Sequence, residues 1–148
     1  MANKNVTCRI TLNRKQVRQL TDAMAPALVD TADMLRDEIR RADVVPRMDG
    51  PLEDEKFFVD ESGARKGKVR LVHEGPYARR LYFHPEYYFH REPWAETIKR
   101  KDGRVSNVTH DGNPNAKGKW FSDWLPGGKK ADFAQKAFSA NYKRRAGL

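Results

Sequence analysis

Residues 75–90, GPYARRLYFHPEYYFH, set six rings (Tyr77, Tyr82, Phe83, Tyr87, Tyr88 and Phe89) among Arg79, Arg80, His84 and His90. Three kinds of chemistry use such a mixture. Rings interleaved with guanidinium groups can stack bases and hold phosphates. His84 and His90, close in sequence to Glu86 and Glu92, could offer nitrogen and carboxylate ligands to a metal. Tyr, Trp and Arg are also the side chains that anchor protein interfaces. The later run WFSDWL adds Trp120, Phe121 and Trp124 to the same inventory.

The metal reading is the weakest of the three. The chain has one cysteine, Cys8, and four histidines, His73, His84, His90 and His110, so no standard structural zinc set can form. Cys8 falls in an alternating tract and reads as a small buried hydrophobe, not a nucleophile. The acids Glu53, Asp54 and Glu55 sit among turn residues and read as a solvated loop. There is no phosphate-cradling glycine loop, no GxSxG elbow and no HExxH helix. The expectation is a protein without catalytic residues, metal or cofactor. A small enzyme using His84 or His90 is a further alternative.

Binding remains. The ring spacing matches no RNA-recognition signature, and no helix-turn-helix pattern is present. Six rings within thirteen residues on alternating faces can hardly all be internal, so some should meet a partner. The candidate interface residues are Tyr77, Arg79, Arg80, Tyr82, Tyr87, Tyr88, Trp120 and Trp124.

Charge points the same way. Residues 1–74 hold 14 Lys or Arg against 13 Asp or Glu, and residues 75–148 hold 15 against 7. The net charge of +9 therefore lies almost wholly in the half that carries the rings. Such a field favours an acidic partner, whether nucleic acid, an acidic protein surface or anionic lipid. Solubility alone is the competing explanation. No apolar run approaches the roughly 20 residues of a membrane span. The start, MANKNVTCRITLNRK, lacks a signal-peptide core, and a lone cysteine fits a reducing compartment.

The elements that must position these groups can be read in order. At 148 residues the chain suffices for a single domain with its own core. Residues 6–12, VTCRITL, alternate with a period of two and predict a half-buried strand. Asn13 offers an N-cap. From Arg14 to Ala42 the apolar residues Val17, Leu20, Met24, Leu28, Leu35, Ile39 and Ala42 recur at helical spacing. The stripe keeps its phase across Pro26, which predicts one long helix kinked at Pro26 on its solvent side. Two helices meeting at Pro26 are the alternative. Val45-Pro46 stops the helix, and residues 46–56 form a loop.

FFVDES and KVRLVHE predict a hairpin around the turn at Gly63–Gly67. Residues 77–83 predict a further strand, because Tyr and Phe suit a pleated surface. Residues 99–118, rich in Gly, Asn and Lys, predict a mobile loop or hairpin insertion. Residues 129–145 predict a last helix with Ala134, Ala137, Phe138 and Tyr142 on one face. The fold class is α+β: a long N-terminal helix packed on a small antiparallel sheet, closed by a C-terminal helix.

Two runs carry a family resemblance. GPYARRLYFHPEYYFH, with NPNAKGKWF after it at 113–121, resembles the minor capsid proteins of tailed bacteriophages. There a Gly-Pro-Tyr-Ala-Arg-Leu-Tyr-like run with His-Pro-Glu leads to Asn-Ala-x-Gly-x-Trp-Phe. The order of parts is similar to the wider head-tail joining, or tail-completion, group. That group places a turn of the form V-P-x-x-x-G-x-L after its long helix, as Val45, Pro46, Gly50 and Leu52 stand here. Asp49 and Pro51 depart from the usual Thr-Gly pair, and the insert at 99–112 is long. The resemblance spans roughly residues 17–142. It implies a virion component at the head-tail junction, or neck, made in the host cytoplasm. It implies a ring of copies meeting other neck, connector or tail proteins, near DNA and away from any membrane. The family assigns no binding residues that could be carried over. A basic nucleic-acid-binding accessory protein is the alternative.

Overall fold

The computed structural model describes residues 9–46 and 57–148. Helix α1 runs Arg14–Ala42, 29 residues without interruption through Pro26. Its start is fixed by Asn13, whose side chain accepts a hydrogen bond from the Gln16 N–H at 3.2 Å. Its end is fixed by Asp43, which adopts the left-handed conformation (φ 53°) and donates its N–H to the Arg40 carbonyl. Arg40 and Arg41 lie in the last turn, where the helix dipole favours cations.

The buried face of α1 coincides with the apolar stripe read from sequence only in part: Ile39 is buried and Leu35 and Ala42 pack on the core. Ala23, Ala27 and Thr31, outside the stripe, are buried, whereas Val17 and Met24 within it are about half exposed. The reason is the second long helix. Helix α3 (Phe133–Ala146) lies antiparallel along α1. Lys130 reaches Glu38, Asn141 reaches Thr31, and Gln19 donates to the Ala146 carbonyl. Small buried residues lie on both helices, Ala23 and Ala27 on α1 and Ala137 and Ala146 on α3, and let the two backbones come close. Thr31 satisfies its hydroxyl on the Ala27 carbonyl at 2.6 Å and accepts from Asn141 at 3.2 Å, so both buried polar groups are paired. Asp30 closes the contact from outside, taking hydrogen bonds from Arg144 and Arg145, each at 2.8 Å. α3 begins four residues later than the 129–145 helix expected from sequence, because 129–132 form turns.

Strands β1 (Phe57–Asp60) and β2 (Arg70–His73) pair antiparallel around a 3-10 turn at Ala64–Lys66, as the sequence predicts. Strands β3 (Trp94–Lys99) and β4 (Val105–His110) form a second, separate two-stranded antiparallel ribbon. The fold is therefore α+β with two small sheets where one was expected. The 99–118 segment is the hairpin alternative for its first part, and irregular thereafter.

One expected strand is a helix, and the described part of another forms no strand. Residues 77–83 are not a strand: helix α2 runs Pro76–Phe83. Gly75 enters it at φ 126°, ψ 152°, a conformation reserved for glycine, and Pro76 occupies the first turn with its φ preset for a helix. Ala78 and Leu81 then fall three residues apart on one buried face. Burial on that face overrides the sheet preference of Tyr and Phe. Within the predicted strand at 6–12, Arg9–Leu12 form no strand, and Ile10 and Leu12 are 83% and 71% exposed. Val6, Cys8 and the loop at 47–56, with Gly50, Leu52 and the Glu53–Glu55 acids, lie outside the described residues.

The core gathers where α1 ends. Ile39, Val44, Val45, Phe57, Leu81, Phe89, Ala116, Trp120 and Trp124 form one cluster, with Leu35, Tyr82 and Phe121 packed against it.

Candidate interaction surface

α2 presents two chemically different faces. Ala78 (2% exposed) and Leu81 (8%) face the core. Tyr77 and Phe83 are exposed, and Arg79 and Arg80 stand beside them. The strand geometry that would send Arg79 and Arg80 to opposite faces does not apply, since adjacent helical residues are only about 100° apart. Both arginines reach solvent on the outer side.

The turn after α2 fixes a polar cluster against that face. Pro85 comes next to the helix end, and the Tyr87 N–H closes a turn on the His84 carbonyl at 3.1 Å. His84 stacks on Tyr87 with ring centroids 4.7 Å apart and meets the Glu86 carboxylate at 2.6 Å. That hydrogen bond from His84 is the main reason the Glu86 carboxyl is held below its ordinary value. Arg80 donates from Nε to the Tyr87 hydroxyl at 3.2 Å, and its guanidinium lies 5.6 Å from the ring centre. Arg80, Tyr87, His84 and Glu86 thus hold one another in place, and Arg79 is left to solvent.

The chain then alternates outward and inward. Tyr88 is exposed and Phe89 is fully buried. His90 takes the left-handed conformation (φ 47°) and stacks on Trp94 at 4.4 Å. Trp94 stacks in turn on His110 at 4.2 Å, so two histidines sandwich the indole at the base of the β3–β4 ribbon. Among the described residues no group of three or more His, Cys, Asp or Glu could hold a metal ion. His84 and His90 belong to separate clusters, each stacked on a ring.

The second aromatic motif supplies the floor. Asn113 is buried and donates from Nδ2 to the carbonyls of Asp43 (2.9 Å) and Val45 (3.2 Å). Its Oδ1 accepts from the Asn115 N–H at 3.1 Å. One side chain therefore ties the exit of α1 to the NPNAKGKWF run. Lys117 donates its N–H to the Val44 carbonyl, and Lys119, at φ 50°, donates its N–H to the Tyr82 carbonyl at 2.7 Å. That last bond satisfies a carbonyl in the final turn of α2, which a helix end leaves without an intrahelical partner. Gly118 sits so close to Pro85 that a Cβ would lie 2.7 Å from the proline Cα.

Trp120 and Trp124 are interior, at 1% and 7% exposure, so they are framework and not contact surface. Trp120 meets Tyr82 edge-on at 4.9 Å and His73 at 5.4 Å. Tyr82 is half-buried, and burial pushes its phenol up. Of the eight candidate interface residues, Tyr77, Arg79, Arg80 and Tyr88 are exposed, and Tyr87 is half-buried at their edge. The structure adds Phe83, 58% exposed, to the outer face. Sequence reading missed both Phe83 and Asn113. The Gly-Pro dipeptide at 75–76 is the signal that would have turned 76–83 into a helix and Phe83 outward.

No helix among the described residues is long and apolar enough to cross a membrane. Compared with known protein families, curated proteins and solved structures, the chain matches none.

Proposed function

We propose that this chain is a structural component of a tailed-bacteriophage particle at the head-tail junction, working by protein-protein assembly in a ring. One observation carries the reading beyond the resemblance of the two motifs. Those motifs, 38 positions apart at Gly75 and Asn113, pack as a single unit. Lys119 bonds the end of α2, Gly118 seats Pro85, and Trp120 abuts Tyr82. The unit commits its large rings to a rigid floor and leaves Tyr77, Arg79, Arg80, Phe83 and Tyr88 outward. A preformed patch of exposed rings and arginines is what an interface anchor requires. The positive second half of the chain suits acidic neighbouring subunits or the wall of a DNA passage.

The nucleic-acid alternative needs free ring faces for bases. Tyr82 is packed against Trp120 and Phe121, and Tyr87 is covered by His84 and Arg80. These contacts remove Tyr82 and Tyr87 as stacking surfaces and leave Tyr77, Phe83 and Tyr88 as the exposed rings.

The test is a particle preparation from cells in which this chain is replaced by its Arg79→Ala, Arg80→Ala variant or deleted. Expected are DNA-filled heads and separate tails, with the purified variant folded as the parent. Intact infectious particles without the chain would refute the reading. Tight binding of single strands at physiological salt, abolished by Tyr87→Ala, would promote the alternative.

A further inference from the structure

The two ends of α1 carry complementary unfinished structures. At its N-terminal end, Arg9–Leu12 form no helix or strand and expose Ile10 and Leu12, with Val17 of the first turns about half exposed beside them. These residues continue the period-two pattern of VTCRITL, the signature of a strand with one apolar face. Among the described residues Arg9–Leu12 have no strand partner, so the element is incomplete there.

The partner it lacks exists at the other end. The β3–β4 ribbon has two strands only, and two-stranded ribbons are marginal in water without a third strand or a helix to pack on. Its base is tied, through the Asn113 N–H on the His90 carbonyl and the Asn113 side chain on Asp43 and Val45, to the C-terminal end of α1. The main packing partners of α1 are α3 and the β1–β2 hairpin with its turn, so the ribbon stands away from the helix.

Among the described residues the outer edge of β4 is unpaired. The Arg100 N–H donates to the Arg104 carbonyl across the turn, so in the alternation of the ladder Ser106, Val108 and His110 pair with β3. The N–H groups of Val105, Asn107 and Thr109 then point away from β3, and no described backbone group accepts from them. Edge strands are normally protected by charges, proline or bulges. VSNVTH has no Lys, Arg, Asp, Glu or Pro, whereas β3 carries Glu96 and Lys99. Val105, 58% exposed, adds an apolar side chain to that surface.

The geometry points to a strand exchange between copies: the arm Arg9–Leu12 of one copy adds to the outer edge of β4 in the next. Within one copy the described arm and the base of the ribbon lie at opposite ends of α1. α1 separates arm and ribbon by about 43 Å at 1.5 Å per residue over its 29 residues. The arm Arg9–Asn13 reaches at most about 18 Å when fully extended. A contact that joins one end of a subunit to the opposite end of its neighbour is head-to-tail, and it closes into a ring when the rotation between neighbours divides a full turn. Main-chain hydrogen bonds would supply affinity, and Ile10 and Leu12 would settle on one face beside Val105. The inference rests on the ring assembly proposed above and names the surfaces that would form it.

Photo-crosslinking tests it directly. The full chain, carrying a benzophenone amino acid at Thr11, is mixed with an isotope-labelled copy and irradiated at high protein concentration. Expected are crosslinks between light and heavy copies, landing within 105–110. Thr109→Pro removes one outward N–H and leaves the bonds to β3 intact, so it should cut the crosslink by about fivefold or more, the loss expected when one main-chain hydrogen bond of about 1 kcal/mol is removed. Ile10→Asp with Leu12→Asp should return the chain to a monomer by sedimentation while its helix content is unchanged. A chain monomeric at every concentration, or crosslinks unaffected by Thr109→Pro, would overturn the pairing. Absence of the chain from purified particles would sink the head-tail reading and leave the crosslink result standing, so the two failures are distinguishable.

Discussion

Asn113 offers the sharpest test of how the two motifs hold this fold together. It is 3% exposed and makes three hydrogen bonds at once, two as donor to the Asp43 and Val45 carbonyls and one as acceptor from the Asn115 N–H. Asn113→Ala deletes all three and leaves buried main-chain groups to find other partners. At about 0.5–1.5 kcal/mol net for each bond, the loss is about 2–4 kcal/mol. For a chain of this size that lowers Tm by about 2–4 °C per kcal/mol, hence by about 5–15 °C. Asn113→Asp is the discriminating variant. It keeps an oxygen for the Asn115 N–H but replaces the donating amide with a carboxylate facing two carbonyl oxygens. It should therefore be less stable than Asn113→Ala at neutral pH, although it is the smaller change in shape. Urea unfolding monitored by the fluorescence of buried Trp120 and Trp124 reads both variants. An aspartate variant as stable as the parent, or an alanine variant within about 0.5 kcal/mol of it, would show that this side chain is not what ties α1 to the second motif.

The α1–α3 clamp should be acid-sensitive. The hydrogen bond from Arg145, foremost, holds the Asp30 carboxyl below its ordinary 3.8. A depressed folded value contributes stability that is full above the unfolded pKa and is lost as pH falls through the folded one. Asp30→Asn should thus cost about 1 kcal/mol near neutrality, with a difference that vanishes in acid well below pH 3.8; an equal deficit at both pH values in urea melts would refute the assignment. Gly118→Ala should destabilise by about 1–3 kcal/mol, because the nearest obstacles are the Pro85 backbone atoms at 2.7 and 2.9 Å, which have no rotamer to yield. An alanine variant with unchanged urea midpoint would show that the two motifs can separate without loss.

The long helix was legible because local physics decides it. Asn13 can cap only a helix that starts beside it, apolar residues recur at helical spacing from Val17 onward, and the chain stops at Asp43 before Val45-Pro46. The β1–β2 hairpin was legible for the same reason, through alternation on both sides of a glycine-bounded turn. Which residues of α1 are buried was local only toward its C-terminal end, where Leu35, Ile39 and Ala42 of the stripe meet the core. Ala23, Ala27 and Thr31 carry little apolar signal, and they are buried because α3 lies close enough to need small residues there. Only a partner helix from the far end of the chain could select them. α2 shows the converse conflict: its Tyr and Phe residues prefer strands, and the burial of Ala78 and Leu81 against the core decided for a helix.

For the candidate surface, sequence alone determined that rings and cations cluster at 75–90, that rings return at 120–124, and that the positive charge lies in the same half. It could not say which rings face outward, since a tryptophan is equally suited to a core and to an interface. The tertiary structure sorted them by contact. Trp120 and Trp124 went inside with Phe89, while Tyr77, Phe83, Tyr88 and the two arginines stayed at the surface. The physical reason lies in two main-chain contacts between residues far apart in sequence, Lys119 on Tyr82 and Gly118 on Pro85. They press the second motif under the first and leave only one face of α2 open to a partner.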